Sequence, residues 1–434
     1  MTRTRTPVIP RPTAARGPGY DEQVRQADAL RRRGRYVEAQ RAFHAIAMAH
    51  PERSDAFSNL AAILQATGNP MPALQAVSRA IELDPTNVSA LLNSAEILKD
   101  FGEWATVAET YDAARALRPT DPAIRFARAL HLLLLGRWSD GWVEHEQRQL
   151  VPDLPLRRSA LTSPAWDGTP LDGRDILLDH EQGLGDQIMF SRFASQVAAR
   201  GGRVTIRCSA PLAELFASLA GVTAVSVEGS PVPPHDVHAS LMSLPALLGV
   251  TSPDAIEGAP YLRATGDCPA PLAAMLPLAR GPRVGLVWSG NPQHRNDARR
   301  SLAPAQLTPL LALHGVQFVA LQRHETGVLL PEGLQNRVID AGAALHSLND
   351  TAHALRRLDL LITVDTAVAH LAGALGVRTL LLLPFVPDWR WMVDRADTPW
   401  YRSVRLLRQA TVFEWQPVID AARHEILALT GHQA

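Results

Sequence analysis

Two rhythms of small, apolar and turn-forming residues run along the chain, and one gives way to the other near residue 155. Before that point Gly34, Gly68, Gly102 and Gly136 recur every 34 residues, and Pro51, Pro85 and Pro119 recur at the same spacing. Between each glycine and the proline that follows, small or aromatic residues stand at matching places: Ala39 and Phe43, Ala73 and Ala80, Tyr111 and Ala114. Each unit reads as a pair of antiparallel helices. The glycine permits the tight turn, the small residues sit where the helices touch, and the proline stops the second helix because it lacks an N–H and clashes with the preceding turn. Four units result, at about 20–53, 54–87, 88–121 and 122–154. The fourth departs, with Gly141 in the place of Ala39 and Ala73 and its proline moved to Pro152, as a terminal unit packed on another domain would. After 155 short β-rich apolar runs alternate with helical stretches, the pattern of βαβ units and parallel sheets. Runs at 176–178, 204–206 and 222–227 form one series, and 284–288, 316–321, 358–364 and 379–383 form another. A Pro/Gly-rich stretch at about 252–282 separates them, which predicts two Rossmann-like domains facing a cleft with ligands at the carboxyl ends of the strands.

The first rhythm resembles the tetratricopeptide (TPR) family over about 135 residues, its period kept four times. That resemblance implies a superhelix whose concave face holds a protein partner or acceptor, with a scaffold or dimerisation surface as the alternative use.

Composition narrows the function classes. Lys plus Arg equals Asp plus Glu at 43 each, so no global field attracts nucleic acid or an anionic membrane. Lys99, in the repeats, is the single lysine, which excludes a Walker or Schiff-base lysine downstream. Cys208 and Cys268 form no CxxC pair, so neither a disulfide framework nor a cysteine zinc site is indicated and a reducing, cytoplasmic setting is expected. Residues 1–19, rich in arginine and proline, read as a disordered tail and not as a signal peptide, and no apolar run is long enough to span a bilayer.

The candidate chemistry sits in two loops. The first strand runs into 181–187, Glu-Gln-Gly-Leu-Gly-Asp-Gln, with a helix expected near Ile188. Gly183 and Gly185 let the backbone approach a ligand at that helix N-terminus, and Asp186 is offered there either as a catalytic carboxylate or as a helix cap. The third glycine of a dinucleotide fingerprint is missing, which argues against a nicotinamide enzyme. The second loop, Asp365-Thr366-Ala-Val-Ala-His370, follows the strand 360–364 and opens a helix. Asp365 and Thr366 would cap it, and its free first-turn N–H groups suit a diphosphate. His370 lies one turn in, unexplained by capping. Trp389, Trp391, Trp400 and Tyr401 are read as packing before base or sugar stacking. His180 and His294 stand alone, and His235 and His238 lack metal partners, so no metal is expected.

Together the GLGD and DTxxxH loops resemble the heptosyltransferase-type enzymes of glycosyltransferase family 9, and with preceding TPRs they resemble the TPR-containing bacterial branch of that group. The resemblance covers roughly 160–430, supported by 288–292 (Trp-Ser-Gly-Asn-Pro) with Asn296, Asp297, Arg299, Arg300 and Ser301, and by 388–391 and 397–401. It implies an all-α TPR superhelix (20–154) followed by an α/β GT-B fold (two Rossmann-like domains), with an acceptor domain at 155–275 and a nucleotide-sugar donor domain at 276–434. It also implies Asp186 as general base, and a donor site drawn from Gly183, Gly185, Asn291, Arg295, Arg300, Asp365, Thr366 and His370. The chain has no DxD motif to hold a divalent ion on a diphosphate, so a metal-independent activity is expected; the resemblance implies inversion, with a nucleotide-sugar donor, a protein or glycan acceptor and no cofactor. Two departures stand out: Ala367 replaces the family's glycine after Asp-Thr, and the family's phosphate-holding lysine is absent, leaving Arg300 or Arg295 for that task. The rival readings are a non-catalytic TPR binding protein on a degenerate transferase fold and, more remotely, an oxidoreductase.

Overall fold

The computed structural model describes residues 19–152, 154–157, 161–277, 281–294, 296–323, 330 and 333–430; the tail 1–18 and Arg295 lie outside them. The chain divides into two compact units, 1–119 and 120–434.

The first unit holds α1 (Tyr20–Arg32), α2 (Tyr36–Ala49), α3 (Ser54–Ala66), α4 (Pro70–Leu83), α5 (Val88–Lys99) and α6 (Trp104–Leu117). Gly34, Gly68 and Gly102 each adopt φ between 73° and 76° in the turn between paired helices, a conformation that a Cβ would strain. Pro51, Pro85 and Pro119 follow directly on the C-caps of α2, α4 and α6. Ala39, Ala73, Ala80 and Ala114 are fully buried where the helices meet. The helical repeat is therefore TPR-like in its turns, its helix ends and its small-residue seams.

The second unit opens with the fourth hairpin, α7 (Pro122–Leu134) and α8 (Trp138–His145), turned by Gly136 at φ 75°. The compact units thus divide one repeat before the change of sequence rhythm. The reason is aromatic: Trp138 stacks on Trp400 at 4.9 Å, and Trp142 meets Trp389 edge-on at 5.4 Å, all four nearly or fully buried. The glycine peculiar to this repeat follows from close packing of α7 on α8. A Cβ on Gly141 would lie 2.8 Å from Leu133 Cδ2 and 3.3 Å from the Leu133 backbone nitrogen.

Two wholly parallel sheets follow. The first joins β1 (Asp175–Asp179), β2 (Arg203–Cys208), β3 (Val222–Val227) and β4 (Val237–Ser240) in the order β3-β2-β1-β4. The second joins β5 (Arg283–Val287), β6 (Gln317–Ala320), β7 (Val338–Asp340), β8 (Leu360–Val364), β9 (Thr379–Leu383) and β10 (Val404–Arg408) in the order β10-β9-β8-β5-β6-β7. That is the doubly wound order, with its switch point between β5 and β8. The inner strands coincide with the apolar runs of the sequence, whereas β4, β7 and β10 do not. All three are sheet edges, where fewer faces are covered and residues such as His238, Asp340 and Arg405 are tolerated. No helix among the described residues is long and apolar enough to cross a membrane.

Gly141→Ala should lower the thermal stability of the second unit, with overpacking of about 1–3 kcal/mol. A melt unchanged from the parent would show that Leu133 yields without strain.

Candidate functional site

The two candidate loops meet, although they leave different sheets. The helix after β1, α9 (Leu184–Ser191), begins earlier than the sequence suggests, so Asp186 lies inside its first turn and is not its cap. Gly183 takes the N-cap position, and a Cβ added there would meet nothing nearer than Asp186 Oδ2 at 3.8 Å, so this side of the turn is open. Gly185 has a different reason to be glycine: a Cβ there would lie 2.8 Å from His370 Cδ2 and 3.7 Å from Ala367 Cα. The backbone approach it permits is to the protein's own second loop.

That loop opens the helix Ala367–Leu375, ended by Gly376 at φ 75°. Thr366 occupies the N-cap position without a side-chain capping bond, and Asp365 stands one residue outside it, which corrects the expectation that these two cap the helix. The first turn of the helix is left to other partners. His370 is buried, its Nδ1 lies 2.9 Å from the Tyr401 hydroxyl, and its ring stacks on Trp391 at 5.1 Å. Burial, with Arg390 nearby, depresses its pKa to about 3, so it is a neutral imidazole at ordinary pH.

Arg390 joins the loops. It donates to Asp186 Oδ1 and, at 2.7 Å, to Asp388 Oδ1, which also accepts from the Arg390 backbone N–H. Burial raises the Asp186 pKa despite the opposing guanidinium, while Arg390 outweighs burial at Asp388 and holds it low. Asp365 is pushed up to about 6 by burial and by the Asp388 charge, against the pull of Arg300. Arg300 reaches the same place from the loop after β5, donating at 2.8 Å to the Asp365 carbonyl and at 3.2 Å to Asp297. Gly290 makes room for it, since a Cβ there would lie 2.5 Å from Arg300 Nη2. Asp186, Asp365, His370 and Arg300 are therefore one cluster. Asn291 is exposed and uses its Oδ1 to accept from Gln293 N–H at 3.0 Å, closing its own turn.

Sequence patterns do not mark Arg390 and Asp388 as site residues, although their segment carries part of the family resemblance. Nor do they mark Arg192, whose guanidinium lies among Tyr261 (4.6 Å), Tyr401 (4.9 Å) and Trp400 (5.5 Å). The only local signal for Arg390 is its place between two tryptophans. Trp389, Trp391, Trp400 and Tyr401 are packed as expected, at most 6% exposed. The fourth repeat contributes a further buried residue: Arg148, with no exposed surface, pairs with Glu181 at 2.6 Å and Glu146 at 2.5 Å and donates to Ser243 at 2.8 Å. Among the described residues no group of three or more His, Cys, Asp or Glu side chains is set to hold a metal ion.

No model of a known protein family matches the chain. It is similar to Protein FlbA of Caulobacter vibrioides, 28% identical over 438 residues that take in 91% of this chain and 70% of FlbA. It is also similar to a probable UDP-N-acetylglucosamine--peptide N-acetylglucosaminyltransferase, SPINDLY, of Hordeum vulgare. That match is 29% identical over 119 residues, spanning 27% of this chain and only 13% of SPINDLY. Among solved structures, a tetratricopeptide repeat protein from Parabacteroides merdae is 19% identical with a TM-score of 0.27, covering 31% of this chain and 54% of its own. The Yersinia enterocolitica type III secretion chaperone SycD, in complex with a peptide of the translocator YopD, is 22% identical with a TM-score of 0.24, covering 26% and 92%. The chain thus has weak and partial similarity to a probable peptide glycosyltransferase.

Asp365 titrates near 6 in the fold against an ordinary 3.8, so between these values the folded chain holds more proton and stability falls as pH rises. Asp365→Asn should therefore unfold at a higher temperature than the parent at pH 7, and the gain should vanish as pH falls through that window. His370 slopes the other way, so variant and parent are compared at each pH. A lower melting temperature for the variant at pH 7 would mean that the arginine field at Asp365 outweighs its burial.

Proposed function

We propose that this chain is a metal-independent glycosyltransferase of the GT-B type, moving a sugar from a nucleotide-sugar donor to an acceptor hydroxyl. The observation that carries the reading is the meeting of Asp186, from the first sheet, with the Asp365–His370 helix start and Arg300, from the second. A donor diphosphate would lie against the uncapped first turn of the helix Ala367–Leu375, at the carboxyl ends of β5 and β8, with Arg300 beside it. The lysine of the resembled family is not needed there, because a guanidinium holds phosphate in two bonds. Asp186 has a raised pKa and one carboxylate oxygen, Oδ2, that does not take the Arg390 bond. It would take the acceptor proton as the hydroxyl oxygen bonds to the anomeric carbon and the bond to the diphosphate breaks. Leaving-group charge would be met by Arg300 and the helix N–H groups. The neutral His370 would face the donor as a hydrogen-bonding group and not as a cation. The heptosyltransferase-like character, the inverting outcome, the cytoplasmic setting and the use of the repeats to hold a protein acceptor or partner are parts of the same proposal, and the partial similarity to SPINDLY supports the last.

One observation favours the binding-protein reading instead: Arg390 already occupies Asp186 Oδ1, as it would in a site that holds a ligand without turning it over.

The purified chain, given UDP-, GDP-, ADP-, CMP- and dTDP-sugars in excess EDTA, should release nucleotide from at least one of them. Asp186→Asn should slow that release by about 10²–10⁴-fold while leaving donor binding in place. Donor binding without release from any donor in the presence of candidate acceptors would favour the binding protein, and neither binding nor release would end the transferase reading.

A further inference from the structure

The carboxyl edge of the first sheet holds two buried polar side chains that the site above does not use. His180 follows β1 and is 5% exposed; Arg207, the penultimate residue of β2, is 9% exposed. Neither ring nitrogen of His180 has a hydrogen-bond partner, and its Nε2 stands 3.5 Å from Glu228 Oε2. Arg207 makes no hydrogen bond or ion pair among the described residues, and its Nε is fully enclosed. The carboxylates around them are already engaged. Arg157 donates to both oxygens of Asp179 at 2.9 and 3.0 Å and to Glu228 Oε1 through its Nε at 2.7 Å. Register brings these groups together: Leu178 pairs with Ile206, so Asp179 and Arg207 come one step later on a common face, and Arg207 pairs with Ser226 two residues before Glu228.

A guanidinium whose enclosed Nε has no partner and an imidazole with neither nitrogen hydrogen-bonded are costly to bury. Both lie at the carboxyl ends of parallel strands, where open α/β sheets take their ligands. The site also adjoins the proposed base. Gln187, next to Asp186, donates to Ser209 Oγ and accepts from Ser209 N–H, both at 2.9 Å, and so ties α9 to the loop two residues past Arg207.

The geometry points to an anion subsite formed by Arg207 and His180, which takes a carboxylate or phosphate monoester carried by the acceptor. Arg207 would donate in two parallel bonds, and His180 would add a third from its protonated nitrogen. That the anion belongs to an acceptor rests on the transferase reading; the subsite itself does not. It would hold an acidic group on one side of Asp186 while the reacting hydroxyl lies on the other.

The test is a thermal melt of the full chain against inorganic phosphate, glucose 6-phosphate, glucuronate and glucose at constant ionic strength. The three anions should stabilise it saturably and glucose should not. Phosphate stabilisation should survive Arg300→Ala, which removes a donor-side guanidinium, and weaken roughly tenfold or more in Arg207→Lys, where the fork of donors is lost. Without ligand, Arg207→Met should melt no lower than the parent, because it removes an unpaired buried charge; a purely structural arginine would give the opposite. Equal phosphate response in parent and Arg207→Lys, loss of the response in Arg300→Ala alone, or an equal response to glucose would each overturn the subsite. Anion binding that follows Arg207 in a chain that releases no nucleotide would keep the subsite and remove the transferase reading.

Discussion

The site depends on one buried cation. Arg390 lies between carboxylates that belong to different sheets, Asp186 after β1 and Asp388 after β9, with Asp365 after β8 in its field. A guanidinium out of water is tolerable only when it is paired and hydrogen-bonded, so its partners are held where the planar fork reaches them. The pairing therefore fixes the distance between two loops that no strand or helix connects directly. It also sets their chemistry. Burial raises the pKa of Asp186 and Asp365 further than the arginine field lowers it, whereas at Asp388 the Arg390 charge and hydrogen bonds outweigh burial. Of the two raised carboxylates, Asp186 is the one beside an open glycine turn, and a basic carboxylate within reach of a ligand is what proton abstraction requires.

Legibility in the sequence followed the range of the interactions. The repeats could be read because their determinants are local: a glycine at positive φ, a proline after a C-cap and a small residue at a helix seam each act within a few residues. The inner strands could be read because both faces are covered and their runs are apolar, and the edge strand β3 because its valines keep an apolar run, while the edge strands β4, β7 and β10 carry polar residues that break that signal. Asp186, Asp365 and His370 were visible because the two segments that carry them each follow a strand and open a helix. Arg390 was not, since its role exists only once two sheets face each other. Asn291, whose place in the site comes from the family resemblance of its segment, is exposed and closes a local turn through its Oδ1. At Gly185, where the sequence suggests close approach to a ligand, the close approach in the fold is to His370.

The fourth repeat shows how a helical hairpin and the candidate site come to share a core. Its sequence keeps the glycine and the spacing of the others, yet its buried face is tryptophan-rich where theirs are built on alanine. Trp138 and Trp142 pack on Trp400 and Trp389, and the Trp389 ring lies against the Arg390 guanidinium itself. Beyond α8, Arg148 reaches Glu181 two residues before Gly183, and Ser240 donates to the same carboxylate at 2.7 Å. Glu181 is thus held on one side by the repeat and on the other by β4, and the loop that presents Asp186 starts from a fixed point. Removing the hairpin would uncover the indoles of Trp389 and Trp400 and strand a buried carboxylate, so the hairpin cannot be an appendage. A repeat that ended an array for recognition alone would carry a polar outer face. This one carries the side chains that position the first loop of the site, and that is a physical reason for its departure from the alanine pattern of the other three.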